Sequence, residues 1–481
     1  MYNTMSGRKE AFIPLEEKRV AMYVCGVTVY DLCHVGHARS AVVFDSISRY
    51  LRFKGFDVKF VKNFTDIDDK IINRANAEGK TWDEIAELYT QEYYEDMTKL
   101  GVANPDVQPK ATGHIDQMLD IIKRLVDKGY AYETDDGVYY EVGKFTGYGA
   151  LSKRGLDSME AGARVEIDEK KKNHFDFALW KKSKPGEPAW DSPWGQGRPG
   201  WHIECSAMSL AHLGETFDIH GGGADLIFPH HENEIAQSCA ATGKPFAKYW
   251  LHNGFITIDK EKMSKSLGNF FTIRDIVTEF DPEVLRVFLL STHYRSPIEF
   301  SRESLRQIEP SLDRLYSTMT RAGDFLSTFK DKAQPAKADD DFAATAGHFK
   351  NRFIEAMDDD FNTAAALAAI FDMIRELNRY LDKKPSTPQS KSLIEKTVAD
   401  IKDCAGVLNI LNKSPHQWYQ SLLSAHKADI TESEIEQLIL QRRQARGNKD
   451  WRLADELRAA LDAKGIILED KDDGTRWKVR V

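Results

Sequence analysis

The sequence is poor in cysteine. It has five cysteines in 481 residues, an odd number, at Cys25, Cys33, Cys205, Cys239 and Cys404. This excludes the disulfide framework of a small secreted domain and leaves burial or metal ligation as alternatives. No apolar run approaches the length that spans a bilayer, and the first twenty residues lack the apolar core of a signal peptide. We therefore predict a cytoplasmic protein without a membrane partner.

Short motifs that identify common enzymes are also missing. A zincin protease needs HExxH, but the position of its second histidine, counted from His231, is Ile235. The phosphate-binding pattern GxxxxGK[ST] does not occur, and no CxxC pair marks a local zinc site. A metal or phosphate site must therefore be assembled from distant parts of the chain.

Charge and composition set wider limits. The net charge of −9 argues against indiscriminate coating of nucleic acid, although a local basic face for one RNA stays open. With 42% hydrophobic and 29% charged residues, the composition is that of an ordinary globular protein. A chain of 481 residues is too long for one core, which predicts two to four domains.

The N-terminal pattern predicts an α/β fold. Residues 20–30 read as a buried strand, residues 38–55 as a helix that ends at Gly55, and residues 56–64 as a second strand. A further helix follows, for which Thr65 is the predicted start. This alternation is typical of a doubly wound parallel sheet. Beyond about residue 300 the pattern becomes helical, with a capping box at Thr431 and Glu434 and a terminal hairpin around residues 473–474.

Four distant residues form a candidate metal site. Zinc usually takes four ligands from Cys, His and Asp/Glu. Cys25 and Cys205 are predicted at strand ends, and His230 and Glu234 are four apart, hence on one helix face. Buried free thiols beside a solvated polar helix start are the competing interpretation, and spacing does not exclude it.

Two segments are candidates for phosphate binding. His34 and His37 flank Gly36 where the first helix begins, and helix N-termini attract anions. Lys262 and Lys265 lie far downstream in the basic, hydroxyl-rich segment KMSKS, which could clamp a polyphosphate. Capping histidines and a solvated lysine turn are the alternatives.

Together, HVGH and KMSKS resemble the two signatures of class I aminoacyl-tRNA synthetases. Val35 replaces the isoleucine of HIGH, whereas KMSKS matches at every position. Longer segments resemble the bacterial cysteinyl-tRNA synthetase family across essentially the whole chain: YVCGVTVYDLCHVGHAR, NFTDIDDK, GWHIECSAMS, FDIHGGGADLIFPHHENEIAQS, KMSKSLGN and DDDFNTAAALAAIFD. The resemblance implies a class I, Rossmann-like catalytic domain with an insertion, an all-α bundle and a small α+β C-terminal domain.

The resemblance also implies domain boundaries. We expect the first half of the nucleotide-binding domain at 1–115, a connective insertion at 116–200, the second half at 201–260, the KMSKS loop and stem-contact region at 261–335, a helical bundle at 336–410 and an anticodon-binding domain at 411–481.

By resemblance, each site residue acquires a role. Cys25, Cys205, His230 and Glu234 match the family's zinc ligands, although contact of His220 or His231 with the metal stays open. The expected catalytic residues are His34, His37, Lys262 and Lys265. The expected ATP contacts are His34, Gly36, His37, Gly222, Gly223, Asp225 and Lys265. Thr28, Trp201 and His220 are expected around the amino acid, with an ordinary core aromatic as the alternative for Trp201.

The implied reaction joins L-cysteine to tRNA(Cys). Cysteine and MgATP give cysteinyl-adenylate, and the acyl group then passes to the tRNA, with zinc selecting the thiol. Expected tRNA contacts are Arg442, Arg443, Arg446, Lys449, Trp451 and Arg452, for which a solvated helix face is the alternative. The enzyme is expected to be a monomer. A mycothiol-pathway ligase that joins cysteine to an amino sugar and a non-catalytic zinc-dependent RNA-binding protein are the rival functions.

Overall fold

The computed structural model describes residues 1–155, 171–258, 261–262, 270–330, 337–426, 429–471 and 474–480. The chain divides into two compact units. The first unit comprises Met1–Phe270, His293–Glu299 and Asp358–Phe361, and the second comprises Phe271–Thr292, Phe300–Met357 and Asn362–Val481. The first unit contains the candidate metal and phosphate residues.

Strands and helices alternate through much of the first unit. In chain order they are β1 (Tyr2–Asn3), β2 (Arg8–Lys9), β3 (Arg19–Thr28), α1 (Val35–Phe53), β4 (Asp57–Thr65), α2 (Asp69–Glu78), α3 (Trp82–Lys99), α4 (Ile115–Asp127), β5 (Ala131–Thr134), β6 (Gly137–Tyr140), β7 (Phe177–Lys182), β8 (Gly197–Pro199), α5 (Trp201–Leu213), β9 (Phe217–Gly223), α6 (Glu232–Thr242), β10 (Ala247–Asn253), β11 (Ile256–Ile258), β12 (Glu261–Lys262) and β13 (Ile298–Glu299).

The central sheet is parallel, in the order β10-β9-β3-β4. Helices α1 and α5 both pack against this sheet, and most positions of β4 and β9 are buried, as expected when both faces of a sheet are covered. This explains why its strands read as nearly continuous apolar runs, and it confirms the predicted α/β fold. The carboxyl ends of parallel strands meet at one edge of a sheet, which is where ligands bind in such folds.

A glycine allows β3 and β4 to approach closely at this edge. The register of the pair shifts between Val24 and Val27, and Gly26 lies in that irregularity. A Cβ atom at Gly26 would lie 1.5 Å from the backbone oxygen of Asn63. The Asn63 side chain also accepts a hydrogen bond from the Gly26 N–H at 2.8 Å. No residue larger than glycine fits there without a shift of the backbone.

A second sheet lies within the predicted insertion. Strands β5, β6, β7 and β8 pair in that order, all antiparallel. The buried guanidinium of Arg198 on β8 contacts Asp69 at the start of α2, and it also lies 3.5 Å from a carboxylate oxygen of Glu187. The ammonium of Lys181 on β7 contacts Asp69 as well, at 3.0 Å. These ion pairs fasten the insertion to the helix that follows β4.

The second unit is largely helical. Its helices and strands, with α11 ending at the boundary, are α7 (Ile273–Val277), α8 (Pro282–Leu290), α9 (Arg302–Arg306), α10 (Glu309–Ser327), α11 (Lys337–Asp358), α12 (Thr363–Asp382), α13 (Pro388–Leu408), α14 (Pro415–Ala425), α15 (Glu432–Gly447), α16 (Trp451–Ala463), β14 (Ile466–Lys471) and β15 (Gly474–Val479). The capping box at Thr431 and Glu434 is confirmed at the start of α15. The terminal hairpin is confirmed by the antiparallel β14–β15 pair, although Asp473 lies outside the described residues.

Two local expectations are wrong. Cys205 lies inside helix α5 instead of at a strand end. Most of this helix is buried, so its apolar residues do not show the one-sided period that reveals a surface helix. Thr65 ends β4, and the helix that follows begins after Asp68, whose side chain accepts the Lys70 N–H and caps it. Within the described ranges, no helix is long and apolar enough to cross a membrane.

The close approach at Gly26 can be tested by substitution. We expect Gly26→Ala to lower the free energy of unfolding by on the order of 3 kcal/mol or more, because the methyl group would overlap a backbone carbonyl. Gly113→Ala is the matched control, since a Cβ there meets nothing within 4 Å. Urea unfolding followed by circular dichroism measures both. Equal stability of the two variants would contradict the proposed constraint.

Candidate active site and metal centre

A cavity of about 330 Å³ opens at the carboxyl edge of the parallel sheet. Its lining brings together residues that the sequence places far apart: Cys25, Gly26, Val27, Thr28, Tyr30, His34, Gly36, His37, Ser40, Lys62, Lys70, Trp201, Gly223, Asp225, Leu226, Asn253, Gly254, Phe255 and Ile256. One residue of the candidate metal site, Cys25, and both candidate phosphate histidines therefore line one space.

His34 caps helix α1 with its own ring. Its Nδ1 accepts the N–H groups of Gly36 at 3.0 Å and His37 at 3.3 Å, and the His34 N–H points to His37 Nδ1 at 3.4 Å. The two rings stack with centroids 3.7 Å apart. Because both Nδ1 atoms accept hydrogen bonds, the neutral tautomers carry their protons on Nε2. The backbone N–H groups of Gly36 and His37 at the start of α1 are therefore occupied by the His34 ring.

The four candidate metal ligands meet in one cluster. One ligand atom each from Cys25, Cys205, His230 and Glu234 lies within 4.8 Å of all the others, and all four residues are buried. The Cys25 and Cys205 sulfurs are 3.6 Å apart, and Glu234 Oε1 lies 3.3 Å from Cys25 Sγ and 3.0 Å from His230 Nε2. Strand β3, helix α5 and the start of α6 each contribute to this point.

A second group of the same size shares two of these residues. Cys25, His220, His231 and Glu234 also offer ligand atoms within 4.8 Å of one another. His220 Nε2, however, donates to Glu234 Oε2 at 2.8 Å, which is the contact of an outer residue that orients a ligating carboxylate. His220 is buried and is not among the cavity-lining residues, and its predicted place beside the amino acid stays a prediction.

His202 supports the first group and was missed at the level of sequence. Its Nδ1 lies 2.9 Å from His230 Nδ1, so one of the two rings donates to the other. Burial lowers the pKa of His202 well below its usual range, which makes it a neutral acceptor for a proton on His230 Nδ1. Burial opposes protonation of His230, but Glu234 and Cys205 outweigh it and raise its pKa to about 10, so Nε2 also carries a proton, 3.0 Å from Glu234 Oε1. A bound cation would displace that proton and take the nitrogen as a ligand. The spacing of His202, one helical turn before Cys205, is the pattern that could have placed it beside the metal cluster.

The electrostatics of the cluster suit a bound cation. Burial opposes ionisation of Glu234, but His220 and His230 outweigh it and hold its pKa well below the usual range. Burial likewise opposes ionisation of the Cys205 thiol, yet the hydrogen bond from Cys25 and the proximity of His230 lower its pKa to about 6. Two thiols, a carboxylate and an imidazole, all buried, form a donor set that fits zinc.

Other predicted residues fall around the cavity. Thr28 lines it at the end of β3. Trp201 is 40% exposed, which excludes a core aromatic, and its ring stacks on that of His230 with centroids 4.3 Å apart. Gly223 and Asp225 line the cavity, and a Cβ on Gly223 would lie 2.4 Å from Asp225 Oδ1. Gly222 is buried against His231 instead.

Of the two KMSKS lysines, only the backbone of Lys262 belongs to the described part of the chain. Lys262 pairs through its backbone with Thr257 in the β11–β12 ladder. Lys265 lies outside the described residues, as do the remaining residues of the segment. Their predicted roles stay predictions.

The candidate tRNA residues of the second unit fall into two groups. Arg442 is buried, and its guanidinium forms two hydrogen bonds of 2.8 Å with Asp470 of β14. It therefore holds α15 to the hairpin and is not presented to a ligand. The other five are exposed around the α15–α16 junction: Arg443, Arg446, Lys449, Trp451 and Arg452.

Models of known families match three parts of the chain. The model for the "tRNA synthetases class I (C) catalytic domain" matches residues 11–309, a "DALR domain" matches 352–412, and a "Cysteinyl-tRNA ligase anticodon binding domain" matches 430–477. The cysteine–tRNA ligase of Thermodesulfovibrio yellowstonii is 59% identical over 486 residues, covering 100% of this chain and 99% of that protein. The chain belongs to the cysteinyl-tRNA synthetase family. The predicted family and class of enzyme are confirmed.

Further relatives agree with this membership. The cysteine–tRNA ligase of Geobacter metallireducens is 56% identical and covers 100% of this chain and 99% of its own. Among solved structures, methionyl-tRNA synthetase of Mycobacterium tuberculosis in complex with methionyl-adenylate has a TM-score of 0.62 at 17% identity, covering 85% of this chain and 92% of that one. At that identity the structural match shows the class I synthetase fold, which confirms the predicted fold class.

The contribution of His34 to stability, as the N-cap of α1, can be tested by substitution. We expect His34→Ala to lower the free energy of unfolding by about 1 kcal/mol, because two helix N–H groups lose their acceptor. His34→Asn should lose far less, since asparagine is a good N-cap. Urea unfolding followed by tryptophan fluorescence compares the two. An equal loss in both variants would show that the ring, not the cap, stabilises this turn.

Proposed function

We propose that this protein attaches L-cysteine to tRNA(Cys) through a cysteinyl-adenylate. The observation that carries the proposal is the shared cavity: Cys25 of a buried thiol–imidazole–carboxylate cluster and the stacked pair His34 and His37 line the same 330 Å³. A site for a thiol thus adjoins a site for phosphate. In the reaction, the cysteine carboxylate attacks the α-phosphorus of ATP and pyrophosphate leaves. The acyl group then passes to the terminal adenosine of the tRNA with release of AMP.

The proposed metal is one Zn²⁺ per chain. Cys25, Cys205, His230 and Glu234 would hold it, with His202 and His220 orienting the imidazole and the carboxylate. When bound, zinc prefers a thiolate to a hydroxyl and so distinguishes cysteine from serine, which pocket shape alone does poorly. The partly exposed face of Trp201 beside His230 forms an outer wall for the amino acid.

The phosphates of ATP, accompanied by Mg²⁺, would lie at the start of α1. His34 and His37 present Nε2–H donors there, and neutral donors of fixed orientation stabilise charge that develops on a phosphoryl group. Gly36 brings the backbone close, and Gly223 and Asp225 would contact the adenosine. Lys262 and Lys265 are proposed to clamp the polyphosphate by family resemblance.

The tRNA would be recognised in part by the C-terminal domain. The exposed Trp451 offers an aromatic face, with Arg443, Arg446, Lys449 and Arg452 supplying cations around it. The match to an anticodon-binding model at 430–477 supports this over the amino-sugar ligase, which should lack a full tail of this kind. We further propose that the protein acts as a monomer in the cytoplasm.

The metal assignment can be tested by ligand binding. We expect Cys205→Ser to weaken cysteine binding by at least about tenfold while the ATP affinity stays nearly unchanged, because the thiol belongs to the metal cluster and not to the phosphate site. Calorimetric titrations with each substrate and metal analysis of each protein measure this. Chelator treatment of the wild type should produce the same selective loss.

Cys239→Ser is the matched control. This thiol lies on α6, is partly exposed and is outside the cluster, so the same chemical change should leave both affinities and the zinc content intact. If Cys205→Ser weakened cysteine and ATP equally, the assignment of the cluster to the thiol would be wrong. Charging of total tRNA with labelled cysteine, and not with serine, tests the function itself.

The proposed tRNA contact separates transfer from activation. We expect Trp451→Ala to lower the rate of cysteine transfer at limiting tRNA by about tenfold, because stacking of a base on an aromatic ring contributes roughly 1–3 kcal/mol. Cysteine-dependent pyrophosphate exchange should not change, since Trp451 belongs to the second unit. Leu440→Ala, another exposed apolar residue of this domain, is the control. A fall in both activities would place the effect on folding instead.

A further inference from the structure

A buried lysine lines the catalytic cavity without an anionic partner among the described residues. Lys62 lies on β4 opposite Val24 of β3, three residues before β4 ends. It is 6% exposed and lines the same space as Cys25, His34 and His37. Within the described part of the chain, its ammonium makes neither a hydrogen bond nor an ion pair to a side chain.

The carboxylate whose charge acts on Lys62 is engaged elsewhere, and the other groups around its ammonium are two thiols and an aromatic ring. Asp45 of α1 is bound by Arg49 Nε, at 3.0 and 2.9 Å to its two oxygens, and accepts the Ala103 N–H. The ring centroid of Tyr93 lies 5.7 Å from Lys62 Nζ and offers a cation–π contact. An aromatic face is a weaker partner for a buried ammonium than a carboxylate or phosphate.

A cation in this position is costly unless an anion joins it. Burial lowers the pKa of Lys62 to about 8, with the nearby Cys33, Asp45 and Cys25 opposing the shift. The ammonium is therefore still mainly protonated at neutral pH. Lysines are rarely buried without a partner, and an anionic ligand would complete this pair. The ligands that would enter this cavity carry oxyanions at their reacting ends.

We propose that Lys62 is a substrate-binding residue whose ammonium pairs with an oxyanion of the reacting substrates, either the carboxylate of the amino acid or an oxygen of the α-phosphate. The assignment rests on the proposed function, because it takes both anions from that reaction. Lys62 would then approach from the strand side of the cavity, whereas His34 and His37 approach from the helix α1. The reacting groups would be held between a fixed charge and two neutral donors.

Titrations of the metal-replete full chain test this. The variants are Lys62→Met, which removes the charge with little change in length, and Lys62→Arg, which retains it. Lys59→Met is the matched control, because Lys59 lies on the same strand but is exposed and donates to the carbonyl of His212. The probes are cysteine, 2-aminoethanethiol, which lacks the carboxylate, and MgATP.

We expect Lys62→Met to weaken one anionic probe by about tenfold or more, as for loss of a charged hydrogen bond, while Lys62→Arg restores most of the affinity. Selective loss for cysteine with 2-aminoethanethiol unchanged supports the proposal and identifies the carboxylate. Selective loss for MgATP supports it and identifies the phosphate.

Unchanged affinities in Lys62→Met would overturn the proposal and leave the lysine a packing role against Tyr93. An equal loss for every probe in both Lys62 variants would also overturn it, because a retained cation should rescue binding. Failure of the proposed function looks different: the wild type and Lys59→Met would bind neither cysteine nor MgATP, and both proposals would fall.

Discussion

The buried carboxylate of Glu234 ties the catalytic unit together at one point. A charge without solvent contact is costly unless hydrogen bonds and opposite charges compensate it. His220 of β9 contacts one oxygen, while the Cys25 thiol of β3 and the ring of His230 contact the other. The contacts of this one carboxylate therefore join the neighbouring strands β3 and β9 to helix α6. A divalent cation would replace the shared protons of this cluster and relieve the same constraint.

The edge of the sheet couples this cluster to the phosphate site. Gly26 allows β3 and β4 to approach closely where their register shifts. Cys25, on one side of this glycine, belongs to the metal cluster, and Thr28, two residues after it, lines the cavity. Six residues later His34 starts α1 and uses its ring as a cap. The rings of the signature pair are thereby fixed in tautomer and orientation by the helix that they begin. In the proposed function, the thiol site and the phosphate site would thus both depend on one short segment of the chain.

The sequence predicted what local patterns encode. The alternating strands and helices indicated the parallel sheet, and the spacing of His230 and Glu234 indicated a shared helix face. The secondary structure of buried elements was harder to predict. Cys205 belongs to a helix that is buried on most sides, so its apolar residues do not repeat with the period that distinguishes a helix from a strand. His202 and the buried Arg442 contact partners that are distant in sequence, and Lys62 lines the cavity because distant segments meet there. Burial and long-range pairing of this kind leave no local signal.

The distribution of charge fits an enzyme that must bind anions selectively. A net charge of −9 disfavours general attraction to nucleic acid, so cations matter where they are concentrated. In the first unit, Lys62 and Lys70 line the cavity of the proposed reaction. In the second, exposed arginines flank Trp451, whereas Arg442 is neutralised by Asp470 within the fold. Arg446 also contacts Asp470, at 3.1 Å, and Arg452 contacts Glu456 at 3.2 Å, but both side chains stay exposed. Affinity for tRNA would then depend on where the cations are concentrated and not on the net charge of the chain.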